Sequence, residues 1–304
     1  MLDEAQWAVL ACPACRASLR RSERSATCPS CSADYPIRGT QVDLHLRAPV
    51  TVDFPLTVRP FGASDPRYRR RPAPMGRNPR GAVDYDPYSS EGGVWYGNGV
   101  TRELASWMPS GDSGEIVLDL GCGNRRVEPV LRMTGMSYLG LDVAGAEPDV
   151  LGSGEALPVA DDSIDFVFAL AVLPHIRRPW LACREIARVL KPGSLFIGSA
   201  QFLEPCDMQS RHHPSLLGLL DWLEEADLEI LELEANDRWS GVRAISEMGY
   251  YPRRFRGSRA IATLMEGAHK GYRAVRPQRK EAALGEGLPE RYTGGFRFVV
   301  RRAA

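Results

Sequence analysis

The sequence predicts an α/β protein: a mostly parallel, seven-stranded sheet with helices on both faces, preceded by a small four-cysteine module. Three observations predict it. From about residue 97 onward, short apolar runs of buried-strand length alternate with amphipathic helical segments, the pattern that βαβ crossovers impose. Two C-x2-C hooks, Cys12/Cys15 and Cys28/Cys31, place four cysteines close together near the start of the chain. Between these parts, residues 47–95 are rich in Pro, Gly and Arg and carry no apolar period.

The 304 residues, 44% of them hydrophobic, suffice for one substantial core and something smaller. Lys+Arg and Asp+Glu balance at 38 each, so no global field selects nucleic acid or a membrane, and either partner would need a local patch. No apolar run reaches the roughly 18 residues of a membrane span, and the N-terminus lacks the basic flank and apolar stretch of a signal peptide. The expectation is a soluble, cytoplasmic chain with no membrane partner.

The hooks come first. Seven cysteines are an odd number, and their crowding suits a metal site better than a secreted disulfide framework. Four thiolates at this spacing can surround one tetrahedral zinc, the alternatives being two disulfides or four unliganded thiols. So short a segment has little core of its own and needs a staple. The following stretch, "SADYPIRGTQVDL", reads as a hairpin returning to the knuckles. Taken together, "CPAC…CPSCSADYPIRGTQVDL" resembles the small zinc-ribbon module that is fused to, or partnered with, S-adenosylmethionine (SAM) dependent methyltransferases. The resemblance covers residues 10–46 and implies a structural or docking role. With Cys12, Cys15, Cys28 and Cys31 filling all four positions, Zn2+ there is structural and keeps no open site. Residues 1–50 are therefore expected to form the ribbon domain.

Residues 51–96 are expected to be a linker or lid. Arg67, Arg69, Arg70, Arg71, Arg77 and Arg80 fit a solvated spacer or a phosphate-seeking strap. The aromatic run around Tyr85, Tyr88, Trp95 and Tyr96 is too apolar for a plain spacer and is expected to wall a substrate pocket.

Residues 97–304 then carry the main domain. "VTRELASWM" reads as a helix, "EIVLDLG" as the first strand, "RVEPVLRMTG" as a helix and "SYLGLDVA" as the second strand. A short third strand lies in "DVLGSG", a strong fourth in "DFVFAL", and "WLACREIARVL" is an amphipathic helix stopped by "KPG" before the fifth strand "SLFIGSA". "SLLGLLDWLEEADLEILELEA" gives a helix and the sixth strand, and "GGFRFVVRR" the seventh, with an insertion at about 237–290 between them.

Ligands in such sheets bind at the carboxyl ends of strands, near the reversal of strand order. There Gly121 and Gly123 let the backbone come close to a ligand, and Asp142, at the end of the second strand, is placed to accept hydrogen bonds from a ribose diol. Dinucleotide enzymes share both devices, so these residues alone leave the cofactor open. Four ordered stretches, "VLDLGCG", "LGLDV", "GEALPVADDSIDFVFALAVLPHI" and "REIARVLKPGS", together resemble class I SAM-dependent methyltransferases, of the type 11-like group. The resemblance implies a Rossmann-like fold in which Asp119, Gly121 and Gly123 cradle the methionine part of SAM and Asp142 holds the ribose. Ser153, Gly154, Glu155 and Ala156 would border the adenine, with Leu170 at the end of the fourth strand. Ser153 stands where many relatives have an aspartate, so adenine recognition falls to its hydroxyl, a backbone carbonyl or Glu155. The third glycine of the family's first motif is replaced by Arg125. Arg125 or Arg126 is a candidate to pair with the carboxylate of SAM, against the plainer expectation of a solvated arginine at a helix start.

Methyl transfer from a sulfonium needs chiefly alignment and exclusion of water, with a general base when the nucleophile is a hydroxyl or protonated amine. His175, His212 and His213, in loops that open on the ligand face, are the candidate bases, against the default of structural histidines. The expected function is methyl transfer to a small-molecule acceptor, at O or N, in a biosynthetic pathway. An RNA methyltransferase and a non-catalytic partner protein of the same fold are the alternatives, and a homodimer is possible.

Overall fold

The computed structural model of the chain describes residues 2–52, 100–203, 209–235 and 293–303, with scattered helical positions between 241 and 271. The expected lid at 51–96 and the expected insertion at 237–290 lie almost wholly outside the described residues.

The N-terminal part opens with a helix, α1 (Glu4–Ala8), capped by Asp3 and Gln6 in a reciprocal box. Four strands follow: β1 (Arg20–Arg21), β2 (Ser25–Thr27), β3 (Asp34–Arg38) and β4 (Gln41–Asp43). The β3–β4 pair is the hairpin expected after the second hook, turned at Gly39 with φ +63°. This antiparallel ribbon does not stand apart. Its last strand lies parallel to β7 (Val150–Leu151), with Val42 opposite Val150, so ribbon and main domain share one 11-stranded sheet.

The remaining strands are β5 (Ile116–Leu120), β6 (Ser137–Asp142), β8 (Ile164–Leu170), β9 (Leu190–Gln201), β10 (Leu228–Ala235) and β11 (Gly295–Arg302). Their order is β4-β7-β6-β5-β8-β9-β11-β10, with β5 to β9 parallel and β11 antiparallel to both its neighbours. This is a Rossmann-like sheet, and its strand order reverses between β5 and β8. The crevice beyond the carboxyl ends of those two strands is where the loops on either side part.

Sequence pattern explains the layers. β5 is buried at every position, as a central strand covered on both faces must be. Its alternate residues feed two cores: Leu118 joins a cluster with Leu10, Tyr35, Val42 and Leu44 of the ribbon, and Val117 joins one with Leu104, Met108, Tyr138 and Phe166. The helices are α2 (Arg102–Ala105), α3 (Glu128–Leu131), α4 (Pro179–Val189) and α5 (Leu216–Glu224). In α4, Ala182, Cys183, Ile186 and Val189 share one buried stripe.

Two details differ from the sequence reading. α2 is a single turn capped by Thr101 instead of the longer "VTRELASWM" helix, because Met108 and Trp107 turn into the core beyond it. "KPG" also does not separate helix from strand. β9 starts at Leu190 directly after α4, and its pairing with β8 jumps from Ile164↔Leu190 to Phe166↔Leu195, leaving Lys191–Ser194 as an irregularity within the strand. Gly193, at φ +81°, makes that irregularity possible.

Candidate cofactor site and metal cluster

The two hooks fold alike. In each, the amide two residues beyond the second cysteine is preceded by a left-handed residue, Arg16 (φ 63°) or Ser32 (φ 59°), whose own amide bonds back to the carbonyl of the first cysteine. These turns bring the four Sγ atoms within 4.8 Å of one another. The Cys12–Cys31 and Cys15–Cys28 separations are 3.6 and 3.4 Å, far beyond the roughly 2.05 Å of a disulfide. They are close to the ~3.8 Å edge of a tetrahedron built on metal–sulfur bonds of about 2.3 Å. All four are free thiols, Cys12 and Cys28 buried, Cys15 and Cys31 exposed. The donor set and its dimensions fit zinc.

At the carboxyl end of β5 the chain turns through Gly121 (φ +72°) and Gly123 (φ +52°). A Cβ at Gly121 would lie 2.4 Å from Val172 Cγ2, so the glycine is required both by its backbone and by the close approach of the loop after β8. A Cβ at Gly123 would meet nothing within 4 Å, so the turn is open on that side. Asp142, at the end of β6, accepts hydrogen bonds from the amides of Gly123 (2.8 Å) and Val143 (2.6 Å), joining the two strand ends across the mouth of the crevice. Val143 beside it is 59% exposed.

Beneath the turn sits Asp119. It is buried and accepts a 2.7 Å hydrogen bond from the phenol of Tyr138. Burial pushes its carboxyl up to about 7; the Tyr138 hydrogen bond opposes this and the nearby Asp142 charge adds to it. Gly140 makes room for this pair, since a Cβ there would stand 3.0 Å from the Tyr138 hydroxyl and 3.1 Å from Cys122 Sγ.

Arg125 occupies the position of the missing third glycine, in the left-handed region at φ 59°. Its guanidinium is committed inside the protein. Nε and Nη2 donate to the two oxygens of Glu128 at 2.7 and 3.0 Å, and Nη1 donates to the Glu147 carbonyl and to Asp149 at 3.1 and 2.9 Å. The group also stacks over the Tyr138 ring at 4.8 Å. Hydrogen bonds to Glu128 and Asp149 outweigh burial and raise its pKa above the ordinary arginine value. These bonds argue against both the candidate pairing of Arg125 with a cofactor carboxylate and the plainer expectation of a solvated arginine, and give it a different task, tying the glycine turn to the loop after β6. Sequence reading missed Tyr138, Glu128 and Asp149; only the Arg125/Glu128 spacing of three signalled one of the contacts in advance.

The segment expected at the adenine forms a tight turn, with Ser153 Oγ accepting from the Glu155 amide at 3.2 Å and a bridge between Ser153 and Ala156. Gly154 is buried under Ile176 and Leu120. Glu155 is bound to Arg178 through both its backbone amide (3.1 Å) and its guanidinium (3.0 Å), which anchors this turn to the start of α4. Leu170 is partly buried at the end of β8 and is followed by Ala171 at φ 62°, whose amide bonds Ser199 of β9.

The histidines separate by environment. His175 ends a short 3-10 turn, Leu173–His175, half-buried after β8. His212 lies between Trp180 and Trp222, with ring centroids 6.2 and 5.5 Å away, and its Nε2 faces the Arg177 carbonyl at 3.1 Å. Its own amide and that of Arg211 bond the Pro174 carbonyl, clasping the loop after β9 to the one after β8. These are the contacts of a packing residue. His213 is exposed and faces Ser210 Oγ at 2.8 Å.

Residues 118–198 match a family model described as a methyltransferase domain. The chain carries a methyltransferase domain. An uncharacterized methyltransferase of Mycobacterium leprae (strain TN) is 33% identical to this chain over 97 residues, 28% of this chain and 36% of the relative. One of Mycobacterium tuberculosis (strain ATCC 25618 / H37Rv) is 35% identical over 102 residues, covering 28% and 38%. The chain thus spans little more than a third of the curated relatives it matches. Among solved structures, a putative methyltransferase from Bacillus halodurans C-125 aligns with 15% identity over 64% of this chain and 95% of that one, with TM-score 0.42. Phosphoethanolamine N-methyltransferase 2 of Haemonchus contortus, solved with S-adenosyl-L-methionine, aligns with 14% identity over 65% and 50%, with TM-score 0.40. Among the described residues, no helix is long and apolar enough to cross a membrane.

Proposed function

We propose that this protein transfers a methyl group from SAM to a small-molecule acceptor, at oxygen or nitrogen. The donor part of this reading is supported by the methyltransferase-domain match over residues 118–198 together with the joined mouth of the crevice, an open glycine turn at β5 whose Gly123 amide is held by the Asp142 carboxylate from β6. When bound, SAM supplies an electrophilic methyl on a sulfonium, a donor with a good leaving group already in place. The chain's own residues do the rest. Gly121 and Gly123 would give close backbone approach to the methionine part, Asp142 would accept from the ribose hydroxyls with the carboxylate lone pairs left over by the Gly123 and Val143 amides, and the Ser153–Ala156 turn would border the adenine. Asp119 sits below as a buried carboxyl pushed up to about 7, and the ammonium of a bound SAM nearby would favour its charged form. His175, half-buried beyond the fourth strand of the parallel set, and the exposed His213 are the candidates to take a proton from the acceptor. We assign Zn2+ to Cys12, Cys15, Cys28 and Cys31 in a structural role, because a closed all-thiolate set keeps no position for substrate.

The domain division that accompanies this reading is a ribbon over 1–50, a linker or lid over 51–96 and the methyltransferase domain over 97–304. The function is tested by incubating the protein with methyl-tritiated SAM and separate small-molecule and RNA fractions of a bacterial extract. Label in the small-molecule fraction supports the reading. Label confined to RNA moves the acceptor to nucleic acid, and none in either fraction, from protein that binds S-adenosylhomocysteine, contradicts both.

A further inference from the structure

The loop between β6 and β7, residues 143–149, has little to hold it in shape by itself. Gly145 adopts φ +112°, and the loop's carbonyls are bonded by groups outside it. On one side Arg125 of the glycine turn takes the Glu147 carbonyl and the Asp149 carboxylate. On the other side the partners belong to the ribbon. Gln41 Nε2 donates to the carbonyls of Gly145 (3.2 Å) and Pro148 (2.8 Å), and the Val42 amide donates to the Asp149 carbonyl (3.0 Å). His45 bridges Asp43 (Nδ1···Oδ1, 2.8 Å) and the Val143 carbonyl (Nε2···O, 3.0 Å), one residue from Asp142. Asp43 is buried and further held by Arg47 at 3.3 Å, so the bridge has a fixed base. A continuous path of contacts therefore runs from the ribbon hairpin through this loop to the glycine turn.

We propose that Gln41 and His45 are positioning residues for the cofactor: they hold the 143–149 loop so that Asp142 and the open Gly123 turn keep the geometry that receives SAM. This rests on the cofactor reading above. The physical effect is preorganisation. A loop that visits its binding geometry only part of the time lowers the apparent affinity by that fraction, and fixing its carbonyls from the ribbon removes the loss. The ribbon then has a second role besides presenting its thiols: it buttresses the loop beside the cofactor site.

The test uses the full-length protein and S-adenosylhomocysteine as probe. Gln41→Glu keeps the side chain's size but turns a donor to two carbonyls into an acceptor. His45→Ala removes the bridge, and His45→Gln restores an amide donor within reach of Val143. Affinity is measured by calorimetry, and hydrogen exchange is followed at the amides of residues 143–147 and 149 and, as a control, 164–170. The expected result is binding weakened about fivefold by Gln41→Glu and by His45→Ala, the scale set by one or two side-chain hydrogen bonds, with His45→Gln close to wild type. Exchange should rise in the loop and not in β8. Unchanged affinity in both Gln41→Glu and His45→Ala overturns the inference, as does weakened binding with exchange raised equally in β8 or without recovery in His45→Gln. Wild-type protein that binds no S-adenosylhomocysteine defeats the cofactor reading itself and this inference with it, a result distinct from any difference among variants.

Discussion

Asp119→Asn is the most informative single change, because the residue is buried under the glycine turn with one defined partner. Its carboxyl is raised from an ordinary 3.8 to about 7, mainly by burial. A carboxyl raised in this way holds its proton more tightly in the folded chain than in the unfolded one. Its contribution to stability is therefore full below about pH 4, declines as pH rises, and is lost once pH passes about 7. At 1.36 kcal/mol per unit, the wild type should lose roughly 3 kcal/mol between pH 5 and pH 8 through this one group. The amide of Asp119→Asn cannot titrate, yet its carbonyl still accepts from the Tyr138 hydroxyl. Urea unfolding of both proteins at pH 5, 6, 7 and 8 isolates most of the effect, since titrating groups that do not interact with Asp119 cancel in the difference. The variant's stability relative to wild type should rise by about 2–3 kcal/mol from pH 5 to pH 8, most of it below pH 7. Parallel profiles for the two proteins would refute the reasoning.

Three further predictions follow from the geometry. Gly121→Ala combines a left-handed backbone with a Cβ 2.4 Å from Val172, and should cost about 2–4 kcal/mol in thermal or urea unfolding and abolish S-adenosylhomocysteine binding. Arg125→Lys retains the charge but loses the paired bonds to Glu128 and the reach to Asp149, and should lower stability by about 1–2 kcal/mol, read from urea midpoints. Purified protein should contain about one zinc per chain by elemental analysis, and a strong chelator should lower the melting temperature and expose the β4–β7 amides to exchange.

Much of this architecture is legible in the sequence because it is local. "IVLDL" and "DFVFAL" are strands for the same reason they are buried, and the two C-x2-C hooks bring four thiols together through repeated turns that need few contacts elsewhere. What stays hidden is pairwise and long-range. Nothing within the ribbon announces that Val42 lies beside Val150, or that Gln41 reaches the carbonyls of Gly145 and Pro148 across more than a hundred residues. The basic tail of the glycine turn illustrates the same limit. Arg125 looks like a ligand for an anionic cofactor group when read alone, but folding supplies it with Glu128 and Asp149. His212 likewise looks like a loop base until Trp180 and Trp222 close around it. Side chains with several possible partners are decided by topology, and a linear pattern does not rank those partners.

We propose that the crevice at the carboxyl ends of β5 and β8 is a SAM site, with Asp142 from the neighbouring β6 as its ribose acceptor. Calorimetric titration of zinc-loaded protein with S-adenosylhomocysteine, alongside Asp142→Ala, tests it most directly. One binding site per chain is expected in the wild type and affinity reduced at least about tenfold in the variant, the scale of losing a charged hydrogen-bond acceptor. A folded wild-type protein that binds none, or a variant that binds as well as wild type, would contradict it.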